Sequence, residues 1–296
     1  MNEPDYQEIA SDENRRLLRS FGYWDIVALG AVVRAGLGFL HGLGDGSRQW
    51  AVDVFAGMVI GALVAFITGL ARVRVRARER FFARWAEARG WTYRASGEPF
   101  EDTPYLCSGD KRRASDFFSG FWPGSDAVLY QHKRIVGSGR DEQVSTYAAL
   151  HLSLARPLID LLQIWPHSRS TDLEEKLLGH HGEIGERVEL ESIELMQDFR
   201  VSSLHGLKDE AVRLLTPSAM VNILDFHHAL PDAGARFEIQ GSRVAFLVEE
   251  TLSPKRPQAI DQLLECWKPI AARLIDEAGA TAQSPMSAPE GGRSPS

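Results

Sequence analysis

One short segment of the chain, HHGEIGE, concentrates side chains that could bind a metal ion. Its candidate ligands are His180, His181, Glu183 and Glu186, and imidazole nitrogens and carboxylate oxygens are common zinc ligands. Adjacent histidines point apart on a helix or a strand, however, and the two glycines are typical of a loop. Because the segment has no HExxH or HxH spacing, we interpret it as a solvent-exposed loop and predict neither a metal nor another cofactor.

Three other patterns are typical of catalysis or of ligand binding. Ser108 and Lys111 have the SxxK spacing of serine acyl-enzymes, but the companion SDN and KTG motifs are absent. The GSGR segment, Gly137–Arg140, joins two predicted strands, whereas a phosphate-binding loop opens a helix. His227 and His228 end a predicted helix, where cationic or donor side chains interact favourably with the negative end of the helix dipole. These patterns predict turns and a helix end, and we assign no catalytic residue.

Aromatic residues cluster in the segment DFFSGFWPG, which contains Phe117, Phe118, Phe121 and Trp122. Core packing around a tight bend is the interpretation that we favour. Two alternatives remain open. The segment is either a loop in a membrane interface, where tryptophan is common, or a binding surface for another protein.

The amino-acid composition argues against several classes of protein. The 296 residues include 25% charged residues and carry a net charge of −7, which argues against a nucleic-acid-binding protein. The two cysteines, Cys107 and Cys266, are far apart and have no CxxC partner. This excludes a disulfide scaffold and favours a reducing compartment.

Hydropathy predicts a transmembrane helical hairpin over residues 21–73. Residues 54–71 contain no charged side chain, and a helix of this length extends about 27 Å, close to the thickness of the hydrocarbon layer. We therefore predict one span over residues 53–72. A weaker span is predicted over residues 24–44, because Arg34 lies inside it. The alternative is a soluble protein in which both segments are buried core helices.

Basic residues predict the orientation of this hairpin. Arginines flank both of its ends, whereas the connecting turn has only Arg48. The positive-inside rule then predicts a multi-pass protein of a bacterial inner membrane with both termini in the cytoplasm. The arginines that follow the second span are predicted to contact the anionic headgroups of the lipid bilayer. They are Arg72, Arg74, Arg76, Arg78, Arg80 and Arg84.

Small residues form a stripe along one side of the second predicted span. Gly57, Gly61, Ala65 and Gly69 recur at every fourth position, which allows another helix to approach the backbone closely. We predict that the stripe packs against the first span. A second copy of the chain is the alternative partner.

The remaining regions complete the predicted domain organisation. Residues 74–277 alternate between strand and helix patterns, which include hairpins and two helices separated at Thr216–Pro217. Hairpins mixed with helices favour an α+β domain over a parallel sheet. Residues 1–20 are polar, and residues 278–296 contain too few apolar residues to fold. The predicted fold class is therefore an α+β soluble domain preceded by a two-helix transmembrane hairpin.

Several segments within residues 85–277 together resemble a family of uncharacterised bacterial proteins. They are WAEARGWTY, GSGR, DFRVSSLHGLKDEAVRLLTPSAMVNIL and FEIQGSRVAFLVEE. The resemblance implies a transmembrane hairpin before a cytoplasmic α+β domain of unknown function, and it implies no functional residue. We therefore predict an interaction protein whose domain binds another protein or lipid headgroups. The alternative is a hydrolase-like enzyme at the membrane surface that uses a His/Glu cluster.

Overall fold

The structure is a computed structural model that describes residues 5–19, 30, 49–167 and 185–280. Several of the predictions fall outside these residues. They are the first predicted span except Gly30, the candidate ligands His180, His181 and Glu183, and the tail beyond residue 280. The chain divides into two compact units, Met1–Arg89 and Gly90–Ser296.

Helices α1 (Tyr6–Arg19) and α2 (Gln49–Glu87) belong to the first unit. The ring of Tyr6 in α1 meets the ring of Phe81 in α2 edge to face, with centroids 6.0 Å apart. Glu13 of α1 is buried and forms an ion pair with Arg80 of α2. These contacts hold the polar N-terminal helix against the second half of α2.

The predicted transmembrane hairpin is wrong. Within the described residues, the structure contains no helix with both the length and the apolar character that a membrane span requires. The uncharged segment 54–71 is only one part of a 39-residue helix, α2, which continues without a break through the arginines that we predicted to lie beyond the end of the span. This finding also contradicts the predicted fold class and the predicted multi-pass location in a bacterial inner membrane.

The described residues of the second unit form nine strands and five α-helices. The strands are β1 (Thr92–Gly97), β2 (Lys111–Phe121), β3 (Asp126–Val136), β4 (Gln143–Ser153), β5 (Ile159–Pro166), β6 (Glu186–Arg187), β7 (Phe199–Ser203), β8 (Arg236–Gly241) and β9 (Arg243–Val248). The helices are α3 (Pro104–Cys107), α4 (Ile193–Asp198), α5 (Lys208–Leu214), α6 (Pro217–Ala229) and α7 (Pro257–Ala280). The strands form one antiparallel sheet in the order β1-β2-β3-β4-β9-β8-β5-β7-β6.

Helices α5, α6 and α7 cover one face of the sheet, which we call the helix face. The indole of Trp267 in α7 lies parallel to the ring of Phe226 in α6 at 6.2 Å and contacts Phe246 of β9 at 6.0 Å. Helix α6 begins as the sequence predicts, since the side chain of Thr216 accepts a hydrogen bond from the N–H of Ala219. This N-terminal cap fixes the start of α6, and buried side chains of α6 form part of the core.

The opposite face of the sheet is covered by residues 98–110, which we call the strap, and we name this side the strap face. Tyr105 and Leu106 of the strap are buried in one cluster with Tyr130 and Tyr147 of the sheet. The hydroxyl groups of Tyr105 and Tyr147 are hydrogen-bonded at 2.5 Å. Because side chains alternate along a strand, polar residues of β3, β4 and β8 on this face lie close to the strap.

Candidate functional site

Helix α2 carries an exposed apolar surface, which we call the apolar face of α2. It consists of Ile60, Leu63, Val64 and Ile67, whose spacing places them on one side of a helix. Each of the four side chains is between 51% and 57% exposed. Single exposed apolar residues are ordinary, but a contiguous group of them marks a contact surface for a lipid or a protein.

Arginines follow the apolar face along the same helix. Arg74 lies seven residues after Ile67, which places it on the same side of α2 and about 10 Å further along the axis. Arg78 is half-buried, with its guanidinium group 5.2 Å from the centre of the Phe82 ring. The other predicted headgroup ligands are exposed. They are Arg72, Arg74, Arg76, Arg80 and Arg84.

Gly61, a member of the predicted small-residue stripe, lies close to the backbone at Gly30 of the first predicted span. A Cβ atom added to Gly30 would be 3.9 Å from the carbonyl oxygen of Gly61. Gly57, Ala65 and Gly69 belong to the same helix as Gly61. The packing role of the stripe stays a prediction, because the rest of the segment that we expected to face it lies outside the described residues.

Among the described residues, Glu186 and the histidines of the second unit do not form one cluster that could serve as a metal or catalytic centre. A carboxylate oxygen of Glu186 contacts Nδ1 of His205. His132 and His151 lie on neighbouring strands, but His151 opposes Val128, so the two histidines are about 13 Å apart along the strands. In the part of the chain that the structure describes, no group of three or more His, Cys, Asp or Glu side chains could hold a metal ion.

Ser108 of the SxxK pair and the adjacent histidines have structural partners. The hydroxyl of Ser108 donates a hydrogen bond to the carbonyl oxygen of Tyr105 at 2.6 Å, whereas Lys111 begins β2. His228 lies in the last turn of α6, and its Nε2 atom is 3.6 Å from a carboxylate oxygen of Glu194. These contacts support the interpretation that both patterns belong to turns and helix ends.

The aromatic segment is divided between the core and the surface. Phe117 and Phe118 are buried in β2, which confirms core packing for these two residues. Phe121 is 73% exposed, and Trp122 is half-buried in the connection between β2 and β3. The two surface interpretations therefore remain open for Phe121 and Trp122 alone.

The GSGR segment connects β3 and β4, as the sequence predicts. Gly137 has a φ of 84°, and its N–H donates to a carboxylate oxygen of Asp110 at 2.7 Å. A Cβ atom on Gly137 would lie 2.6 Å from the backbone oxygen of Asp141. Gly139 also has a positive φ, 67°, but nothing lies within 4 Å of an added Cβ atom there.

Replacing Gly137 with alanine is expected to lower the free energy of unfolding by about 3 kcal/mol, because backbone strain and steric overlap are combined. Gly139→Ala is the matched control. It adds only the cost of a left-handed backbone, about 1 kcal/mol. Urea unfolding of the two variants measures the difference, and equal losses would show that the close contact at Gly137 is unimportant.

A polar cleft of about 600 Å³ lies between the strap and the sheet, and sequence analysis did not predict it. Its lining includes Asp102, Asp110 and the buried Arg134. One carboxylate oxygen of Asp102 is 2.7 Å from Nε2 of His151, whose ring stacks on Phe100. Burial raises the pKa of Asp102, but the hydrogen bond and the charge of His151 outweigh burial and hold this pKa below its ordinary value.

Cys107 also lines this cleft. Its thiol donates to the carbonyl oxygen of Glu101 at 2.9 Å, and burial and the charge of Glu101 raise the pKa of the thiol. A protonated thiol is a poor nucleophile. The raised pKa therefore gives no support to a nucleophilic role for Cys107.

Comparison with known proteins establishes no family. No family model matches this chain, and no curated protein matches it significantly. Among solved structures, the chain is similar to the crystal structure of the mycobacterial trehalose monomycolate transport factor A, TtfA. The similarity covers 65% of this chain and 95% of the other, with 13% sequence identity and a TM-score of 0.39. That TM-score does not show a common fold, and the resemblance to a family of uncharacterised bacterial proteins stays a prediction.

Proposed function

We propose that this protein binds to the surface of anionic lipid membranes through helix α2. The observation that carries the proposal is the exposed apolar face of α2, which is followed by exposed arginines on the same helix. A helix that lies in the membrane interface places apolar side chains among the acyl chains and basic side chains against the phosphate groups. In this arrangement α2 lies on the membrane and does not cross it.

The apolar and the basic residues contribute similar free energies to this binding. Burial of the exposed half of an aliphatic side chain stabilises the bound state by about 1 kcal/mol. One arginine near an anionic surface also adds about 1 kcal/mol. Association costs about 4 kcal/mol or more in lost translational and rotational freedom. Neither group of residues alone then gives strong binding, and both should be required.

Cosedimentation of the full chain with vesicles tests this proposal. Wild-type protein is expected to bind vesicles that contain phosphatidylglycerol more tightly than vesicles of phosphatidylcholine alone, and salt should weaken this preference. The combined change Ile60→Ser, Leu63→Ser and Ile67→Ser is expected to reduce binding at least about 10-fold, because it removes apolar area. Changing Arg72, Arg74 and Arg76 to glutamine should reduce binding only to the anionic vesicles.

Val221→Ser is the matched control, since Val221 is 53% exposed on α6 in the other unit. This variant should bind vesicles like the wild type, and circular dichroism should show that all variants are folded. Unchanged binding by the triple serine variant would overturn the proposal. The proposal is also overturned if the wild type does not bind vesicles. If the triple serine change then converts an oligomer to a monomer, the apolar face of α2 is a contact with another protein chain.

A further inference from the structure

Strands β2 and β3 place like charges directly opposite each other at two consecutive positions. Arg112 opposes Arg134, and Arg113 opposes Lys133. Opposing residues of an antiparallel pair have Cα atoms about 4.5–5.5 Å apart. Like charges on two residues that directly oppose each other destabilise the pairing of the strands. Because successive residues alternate between the two faces of the sheet, one such pair lies on each face.

The pair on the strap face has partners in the protein. The guanidinium group of Arg112 lies 3.0 Å from a carboxylate oxygen of Glu101, and it also donates to the carbonyl oxygen of Cys107. Arg134 is buried, with its guanidinium group 5.2 Å from the centre of the Tyr105 ring. The strap therefore compensates the repulsion between these two arginines.

The pair on the helix face lies in a different environment. Arg113 and Lys133 are exposed, and so is Lys111, which lies on the same face two residues before Arg113. Among the residues that the structure describes, no carboxylate lies within 4.0 Å of the cationic nitrogens of these three side chains. Thr146 of β4 opposes Lys133 and adds a hydroxyl donor. We call Lys111, Arg113 and Lys133 the basic ladder.

We propose that the basic ladder binds a phosphate group. Three cations within two neighbouring strands, in a chain with a net charge of −7, form a local positive surface that an anion would neutralise. A guanidinium group can form two parallel hydrogen bonds to phosphate oxygens, and each ammonium group adds a point charge. The phosphate belongs either to a soluble metabolite or to a lipid headgroup. The proposal concerns the second unit and does not depend on the lipid binding of α2.

Titration of the full chain with inorganic pyrophosphate tests this site. Wild-type protein should bind pyrophosphate, and its melting temperature should rise with pyrophosphate concentration. The double variant Arg113→Gln/Lys133→Gln should bind at least about 10-fold more weakly, which corresponds to one lost charge-assisted contact. Without pyrophosphate its melting temperature should not fall, because the repulsion between the two cations is removed.

The matched control is Arg213→Gln/Lys268→Gln, which removes the same charge from exposed positions on α5 and α7. It should bind pyrophosphate like the wild type.

Vesicles containing phosphatidylglycerol distinguish the two sources of phosphate. If Arg113→Gln/Lys133→Gln weakens vesicle binding as well, the site takes a headgroup, and if it weakens only pyrophosphate binding, the site takes a soluble phosphate. The proposal is overturned if this variant binds both probes like the wild type, or if the control loses as much affinity. The triple serine variant of α2 should keep pyrophosphate binding even if it loses vesicle binding, so the two proposals can fail separately.

Discussion

Replacing Glu238 with alanine is expected to lower the free energy of unfolding by about 3–5 kcal/mol, the range seen when one partner of a buried charged network is removed. Glu238 is fully buried on the strap face of β8. One carboxylate oxygen accepts the backbone N–H of Tyr105 at 3.0 Å, and the other accepts the side-chain amide of Gln163 at 2.6 Å. The alanine variant would leave these two buried donors without their acceptor.

Glu238→Gln removes the charge of this side chain and leaves one oxygen acceptor where the carboxylate has two, so one of the two hydrogen bonds is kept. Burial raises the pKa of Glu238, although Gln163 and the neighbouring Arg236 lower it. Because burial already disfavours the charge and glutamine keeps one of the two acceptors, this variant should cost less than the alanine variant. Urea unfolding at neutral pH measures both values. Glu265→Ala, at an exposed position of α7, should change stability by no more than about 0.5 kcal/mol.

The same variants test whether Glu238 positions the polar cleft. The hydrogen bond to Tyr105 joins β8 to the strap, and strap residues form much of the cleft lining. Amide hydrogen exchange across residues 101–110 should therefore increase in Glu238→Ala more than in Glu238→Gln. Unchanged exchange in the strap of Glu238→Ala would show that Glu238 does not hold the strap in place. A glutamine variant as unstable as the alanine variant would show instead that both carboxylate oxygens are required.

Elements whose ends depend on neighbouring residues could be predicted from the sequence. Thr216 and Pro217 begin α6 because a side-chain cap and a proline at the first position are local features. The hairpin of β8 and β9 turns at Gly241, which has a φ of 60° that glycine adopts without strain. In both cases the residues that determine the structure are adjacent in the chain.

The length of α2 could not be predicted from hydropathy. The apolar pattern stops at Arg72, and we predicted that the membrane span ends there and that an amphipathic helix continues from Arg78 to Gly90. Arginine is a good helix former, however, and the helix continues to Glu87. Hydropathy reports the environment that a segment prefers, whereas the end of a helix is determined by backbone propensity and capping.

The candidate sites depend on residues that are distant in the sequence. Asp102 and His151 are separated by 49 positions, and Tyr105 and Glu238 by 133. No local spacing connects such residues, so only the fold reveals the cleft.

The basic ladder depends on strand register. The sequence shows two runs of basic residues, but which of them oppose each other is not a property of either run. The pairing of β2 with β3 also shifts between Ser115 and Phe118, and an irregularity of this kind changes which residues share a face. Alternation along one strand therefore could not identify the ladder.

Replacing His132 with phenylalanine is expected to reduce the loss of stability that the protein suffers on mild acidification. His132 is fully buried, and both of its ring nitrogens lack a hydrogen-bond partner among the described residues. Burial lowers the pKa of His132 to about 4, and the charges of Arg112 and Arg134 act in the same direction. In the unfolded chain the imidazole has its ordinary pKa of 6.5.

The sign of the effect follows from proton binding. Between pH 6.5 and about pH 4 the unfolded chain binds a proton at His132 and the folded chain does not, so acidification favours unfolding. The contribution of His132 to stability is therefore complete above pH 6.5 and is lost as the pH falls towards 4. From about pH 7.5 to about pH 5 the expected loss is about 2 kcal/mol. The lowered pKa of Asp102 acts below 3.8, outside this range. The raised pKa of Glu238 acts with the opposite sign, and it is common to the wild type and the variant.

Urea unfolding at these two pH values tests the assignment. His132→Phe should lose about 2 kcal/mol less than the wild type on acidification. It should be at least as stable at neutral pH, because an apolar ring of similar shape replaces two unsatisfied polar atoms. His228→Gln, at an exposed position of α6, should keep the wild-type pH dependence. If His132→Phe keeps that dependence too, or if His228→Gln removes it, the buried imidazole is not the group that makes this fold sensitive to acid.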